Sequence, residues 1–362
     1  MPIDVDFHLP FPAVEVRPEA HERARRRGVA WATAQGLIPP TEAATGYFLA
    51  MRLADVAAGF APEADGADLD VMTDLITWTA VCDDFFDGPA GDDPEFAAAA
   101  VTALTTDTGP MTTPPAGVEA LARATADLWA RMREPMSPAW RARAGHNWGR
   151  FLRSFLAEAD ARRAGTVPGL AGYLALRRET MAMYVYLDAV ERAGRYEVPG
   201  RVLADPAVRE LAELQIDIIA HCNDVHSIEH EEARGDTHNL VLVLAHGTRR
   251  PRAEVIEEIR HRVDGLVTRF LHTAATVPAL CDRLSCDPTE RAATVRHLTA
   301  LTRQLRVTYD WSLATRRYAE PSASGRRPDY LRSIDTVRGD SVHSTRIPSD
   351  TLLLADPIGQ AR

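Results

Sequence analysis

An all-α fold is predicted by three observations. No segment alternates apolar and polar residues with the period of two that a half-buried strand requires. Apolar residues instead recur at helical spacing, as in Leu69, Met72, Leu75 and Ile76. Helix punctuation is also dense. Ser137-Pro138, Asp205-Pro206 and Asp287-Pro288-Thr289-Glu290 each set a capping side chain before a proline at the first helical position, and the last is a capping box.

In order, the chain opens with Phe7-His8-Leu9-Pro10-Phe11-Pro12, where the prolines forbid helix, so residues 1–16 read as a proline-rich lead-in. A helix follows from Pro18 to Gln35, with proline at its start and Gly36 past its end. Thr41-Glu42 opens a short helix carrying Tyr47, Phe48 and Met51. The next spans about Asp68 to Asp87 and stops at Gly88-Pro89. A Thr/Pro/Gly loop between Thr105 and Gly117 is flanked by helical stretches. Further helices run from Pro138 to about Arg163, from about Pro168 to Ala193, and from Pro206 to a stop at Gly235. Pro251 begins another, and the capping box opens the last, to about Tyr318. From Pro321 the composition shifts to Ser, Gly, Arg and Asp. Residues 17–320 therefore read as one helical domain and 321–362 as a flexible tail, dispensable for folding.

A net charge of −10, with basic residues scattered rather than striped, argues against nucleic acid as a partner. All 41 basic residues are arginine, so any phosphate contact falls to arginine, histidine or backbone. No apolar run approaches the ~20 residues of a membrane span. Met1-Pro2-Ile3-Asp4 lacks the features of a signal peptide. Cys82, Cys222, Cys281 and Cys286 have no zinc-like spacing and fit a reducing cytoplasm. Cys82 and Cys222 read as small buried apolar groups.

Two stretches carry chemistry. Asp83, Asp84 and Asp87 close the apolar helix, and three carboxylates within five residues repel unless a cation neutralises them. Hard oxygen ligands suit magnesium, which keeps positions open for water and substrate phosphate. Asn223, Ser227 and Glu231 stand at i, i+4 and i+8 on a later helix, so one divalent ion can touch all three. His226-Ser227-Ile228-Glu229-His230 also spells the H-x-x-E-H zinc pattern, but a protease would leave the acidic cluster without a role.

Together, DDxxD on one helix and NDxxSxxxE on another resemble the signature pair of bacterial class I terpene cyclases, over roughly residues 7–320. The resemblance implies a single-domain class I terpenoid synthase helical bundle. It also implies magnesium-dependent ionisation of a linear prenyl diphosphate, geranylgeranyl or farnesyl, and cyclisation of the cation to a polycyclic hydrocarbon or alcohol, releasing diphosphate. Three magnesium ions are expected, held directly by Asp83, Asn223, Ser227 and Glu231, with Asp84 and Asp87 as ligands or through hydrogen bonds. Tyr173 to Thr180 is similar to the family's Y-x-x-x-R-R-x-T segment, which makes Arg177 the diphosphate sensor. Trp311 to Tyr318 is similar to the closing arginine–tyrosine pair, assigned to Arg317 and Tyr318 with Arg316 as competitor.

Thr79, Ala80, Phe86, Thr180, Met181 and Trp311 are the expected pocket residues, and His230 is an expected diphosphate contact. His230 stands where the family usually has lysine or arginine, which makes it a weaker contact. Thr79 and Ala80 stand where sesquiterpene cyclases often have phenylalanine. That missing bulk leans the expectation towards the twenty-carbon substrate, with Met181, Tyr184 and Tyr186 able to refill the space. The second motif argues against a chain-elongating prenyltransferase, and the intact ligand positions argue against an inactive prenyl-binding scaffold. A second copy of the chain, as a homodimer, is the one macromolecular partner considered.

Overall fold

The computed structural model describes residues 5–105 and 113–318, which form sixteen helices and no strand. The first are α1 (Pro18–Gln35), α2 (Glu42–Ala50), α3 (Leu53–Phe60), α4 (Gly66–Phe86), α5 (Pro89–Asp92) and α6 (Pro94–Leu104). Then come α7 (Glu119–Arg133), α8 (Pro138–Ala164), α9 (Leu170–Thr180), α10 (Met183–Gly194) and α11 (Gly200–Leu203). The rest are α12 (Pro206–Arg234), α13 (Leu240–Ala245), α14 (Arg252–Ala274), α15 (Val277–Arg283) and α16 (Pro288–Ala314). The tip of the Thr/Pro/Gly loop and the tail from Pro321 lie outside the described residues.

The expected caps form. Ser137 accepts from the Trp140 N–H, Asp205 from that of Ala207, and Asp287 exchanges bonds with Glu290. Fifteen of the 21 residues of α4 are buried, the pattern of a helix surrounded on all sides. Helices α1, α3, α7, α8 and α10 sheathe it. Trp78 of α4 stacks on Trp148 of α8 with ring centroids 4.4 Å apart, and Phe86 stacks on Phe155 at 4.7 Å. Cys82 and Cys222 are buried free thiols. The lead-in packs on the body through buried Phe7, Leu9 and Phe11. The Tyr309 hydroxyl accepts from the Phe7 N–H at 2.9 Å and donates to Asp6 at 2.6 Å.

The structure corrects two helix assignments. The single helix expected from Pro168 to Ala193 is broken, because Ala182 takes left-handed dihedrals (φ 56°) between α9 and α10. No glycine or proline announces the break, so the surrounding packing overrides local propensity. The last helix stops at Ala314 rather than reaching Tyr318. Thr315 turns extended, its hydroxyl bonding to the Met51 carbonyl, and the Arg316 N–H donates to the Ala50 carbonyl. Both departures shape the cavity described below.

Close approach of α3 and α16 depends on Gly59, where an added Cβ would lie 2.6 Å from Val307 Cγ2 and 2.7 Å from Cγ1. Overpacking of that kind costs about 1–3 kcal/mol, against at most about 1 kcal/mol of helix propensity gained. Gly59→Ala is therefore expected to lower the melting temperature. An unchanged transition would mean that α16 yields without cost.

Candidate active site

The C-terminal end of α4, the break between α9 and α10, the middle of α12 and the turn after α16 enclose one cavity of about 160 Å³. Its apolar wall includes Leu53, Val56, Phe60, Ile76, Phe151 and Met183. Thr79, Ala80, Asp83, Arg177, Thr180, Met181, Asn223, Trp311, Arg317 and Tyr318 also face it, so ten positions singled out in the sequence meet there.

On α4 the three aspartates part company. The Asp83 side chain stays 43% exposed towards the cavity, Asp84 is buried, and Asp87 lies 3.5 Å from Arg162. Arg317 binds both of the first two: its Nη2 donates to Asp83 at 2.6 Å and to Asp84 at 2.9 Å. The turn after α16 thus delivers a guanidinium onto the acidic cluster. Arg316, whose backbone N–H donates to the Ala50 carbonyl, does not line the cavity.

On α12 the expected face is present. The Ser227 hydroxyl lies 2.9 Å from the Asn223 carbonyl and 2.7 Å from Glu231 Oε1. Asn223 donates to the Tyr318 hydroxyl and accepts from Arg177 Nη2, both at 2.8 Å. Asn239 donates to the other oxygen of Glu231 at 2.7 Å, which orients that carboxylate. Burial and then the charge of Asp224 push Glu231 up to about 8, with Arg177 opposing. A half-buried carboxylate so placed, beside an amide and a hydroxyl oxygen, is a donor set that fits a hard divalent cation.

Two expected substrate contacts, Phe86 and His230, are not among the residues lining the cavity. Phe86 does not line the cavity; it faces away from it and stacks in the core on Phe155. His230 packs edge-on against the ring of Tyr318, itself a lining residue, at 6.4 Å. The H-x-x-E-H pattern also dissolves, because the His226 ring turns to the back of α12, against Phe7 and Tyr309.

The structure adds groups the sequence reading passed over. Asp224, fully buried, accepts from the Tyr173 hydroxyl, from Arg177 at 2.8 Å and from the Leu240 N–H at 2.6 Å. Burial would weaken the Arg177 proton, but Asp224 first and then its neighbours hold that guanidinium charged. The signal was present, since Tyr173, Arg177 and Asp224 all fall inside the two quoted motifs. Glu158 of α8 is buried near the same cluster, and burial followed by the charges of Asp87 and Asp236 hold its carboxyl well above the ordinary range. Nothing in the sequence near Glu158 marks it. Tyr186 of α10 meets Thr79 across the cavity, hydroxyl to hydroxyl, at 2.6 Å. Among the described residues no helix is long and apolar enough to cross a membrane.

The family described as terpene synthase family 2, C-terminal metal binding, matches residues 74–269. Pentalenene synthase of Streptomyces avermitilis is 38% identical, over 88% of this chain and 94% of its own length. The (2E,6E)-farnesyl diphosphate-cyclising 7-epi-alpha-eudesmol synthase of Streptomyces viridochromogenes is 31% identical, over 88% and 93%. The structure of linalool/nerolidol synthase from Streptomyces clavuligerus, in complex with 2-fluorogeranyl diphosphate, superposes with a TM-score of 0.74 at 30% identity. It covers 86% of this chain and all of that one. The matched family and the helical fold lead to one conclusion: the chain belongs to the terpene synthase family and is an all-α class I terpene synthase.

Proposed function

We propose that this enzyme takes farnesyl diphosphate, ionises it with the help of magnesium and cyclises the cation to a sesquiterpene. The observation that carries the reading is convergence: Asp83, Asn223, Arg177, Arg317 and Tyr318 crowd one end of a cavity whose remaining wall is largely apolar. Asp83 on one side and Asn223, Ser227 and Glu231 on the other would hold the ions, three by the family resemblance. Asp84 and Asp87, paired with arginines, support the cluster through charge. Magnesium, when bound, supplies the Lewis-acid charge that weakens the carbon–oxygen bond and neutralises the departing diphosphate.

The chain's own groups do the rest. Arg177 and Arg317 offer forks of donors to phosphate oxygens, and the Tyr318 hydroxyl adds another. Asp224 keeps Arg177 aimed, so that stabilisation is pre-organised rather than assembled during the reaction. The apolar wall excludes water while the cation folds. The lean towards a twenty-carbon substrate rested on missing bulk at Thr79 and Ala80. Tyr186 and Met181 fill that side of the cavity, and Tyr184 turns away towards Arg150. A relative whose name specifies farnesyl diphosphate supports the same choice.

Purified enzyme with magnesium and geranyl, farnesyl or geranylgeranyl diphosphate, read by gas chromatography–mass spectrometry, tests the reading. Cyclic products are expected chiefly from the farnesyl compound. Conversion of the geranylgeranyl compound alone would overturn the chain length, and no product from any would overturn the activity.

A further inference from the structure

The cavity shares a single lining residue, Phe60, with a larger cleft of about 810 Å³ at the opposite end of the bundle. Phe60 is the last residue of α3 and is 1% exposed. Leu53, Val56 and Phe60 follow one face of that helix, so the cavity wall runs down α3 and ends on this ring. Tyr186 leans on it with centroids 5.7 Å apart, and the Thr79 hydroxyl steadies Tyr186 from α4. These two rings form the cavity floor.

Beyond the floor the same helices continue. One turn past Tyr186 stands Val190, then Ala193, and two turns before Thr308 on α16 stands Ala300; all three line the cleft. With Ala61 and Ala64 its inner surface is small and apolar. The acidic residues of its lining are paired, Glu63 with Arg303 at 2.5 Å, Asp68 with Arg195 at 2.7 Å and Asp65 with Arg17 at 3.3 Å, and Arg296 lies over the Tyr196 ring at 4.0 Å. A helical turn rises about 5.4 Å, close to the length of one isoprene unit.

We infer that Phe60 sets the length of prenyl chain the enzyme accepts, by closing the cavity against a cleft that would otherwise take one more isoprene unit. The inference rests on the proposed conversion of farnesyl diphosphate. A close-packed ring cannot be pushed aside as a liquid would be, so the floor excludes length sterically. Small residues behind it give the extra unit an apolar place to go once the ring is gone.

The test compares wild type, Phe60→Ala, Phe60→Leu and the double variant Phe60→Ala with Ala193→Leu, each with magnesium and either farnesyl or geranylgeranyl diphosphate. Folding is checked by circular dichroism, and kcat/KM is measured by diphosphate release with products identified by mass spectrometry. Phe60→Ala is expected to raise the ratio of geranylgeranyl to farnesyl turnover on the order of tenfold or more. Phe60→Leu should raise it less, and it also serves if the alanine variant does not fold. Refilling the cleft at Ala193 should return the ratio towards wild type, which general loosening of the core would not do. An unchanged ratio in a folded Phe60 variant, or a gain that survives Ala193→Leu, would overturn the inference. Wild type that releases diphosphate from neither substrate would sink the underlying activity, which is a separate failure.

Discussion

Asp83→Ala and Asn223→Ala are each expected to lower diphosphate release at least about a thousandfold while leaving the helical circular dichroism signal nearly unchanged. A metal ligand acts mainly where charge develops, so its removal weakens the transition state more than the bound substrate. A loss of about 4 kcal/mol there corresponds to roughly three powers of ten in rate. Asp83 is half exposed to the cavity, so alanine at that position costs the fold little. Asn223 carries a second burden, since its amide ties both Arg177 and Tyr318 at 2.8 Å. Its loss unhooks two proposed diphosphate contacts along with a proposed metal-binding oxygen. Near-native turnover of either variant at saturating magnesium would mean that the two motifs do not hold the metal.

Asp224→Ala should have the largest effect on stability. The carboxylate is fully buried and serves the Tyr173 hydroxyl, the Arg177 guanidinium and the Leu240 N–H together. Removing one partner of a buried ion pair leaves the other charge uncompensated, at about 3–5 kcal/mol. For a chain of this size that is a fall in melting temperature of roughly 4–8 °C. Asp224→Asn keeps one of the two acceptor oxygens and loses the charge, and should fall between. Thermal unfolding of the two variants decides the matter: an alanine variant melting within about 2 °C of wild type would show that Arg177 finds another anion.

Much of this was legible in the sequence, for identifiable reasons. Prolines at first helical positions, Asx caps and stopping glycines are local chemistry, so the bounds of α1, α8 and α12 follow from a few residues each. The meeting of Asp83, Asn223, Arg177 and Arg317 at one cavity was implied by the family resemblance of four short stretches, the two acidic motifs and the segments around Arg177 and Arg317. What escaped is set by contacts distant in sequence. The break at Ala182 has no breaker of its own, and the end of α16 is decided by carbonyls of Ala50 and Met51. Phe86 was misplaced because it adjoins the acidic cluster in sequence, whereas its side of α4 points into the core towards Phe155. Glu158 and Phe60 carry no motif. Only their burial beside charges, or between two hollows, marks them.

The bond between the Phe7 N–H and the Tyr309 hydroxyl joins residues 302 apart. A ribosome adding roughly 5–20 residues per second leaves the lead-in without this anchor for about 15–60 s. During that interval Phe7, Leu9 and Phe11 lack the water-free surroundings they will later occupy, and the back of α12, where His226 meets Phe7, lacks its cover. The body can collapse first, but the lead-in becomes native only after α16 has been made and docked. Such long-range closure slows folding, because loop entropy must be overcome before the contact rewards it. Refolding kinetics should accordingly end in a late step that a fluorophore near Phe7 reports and the overall helical signal does not.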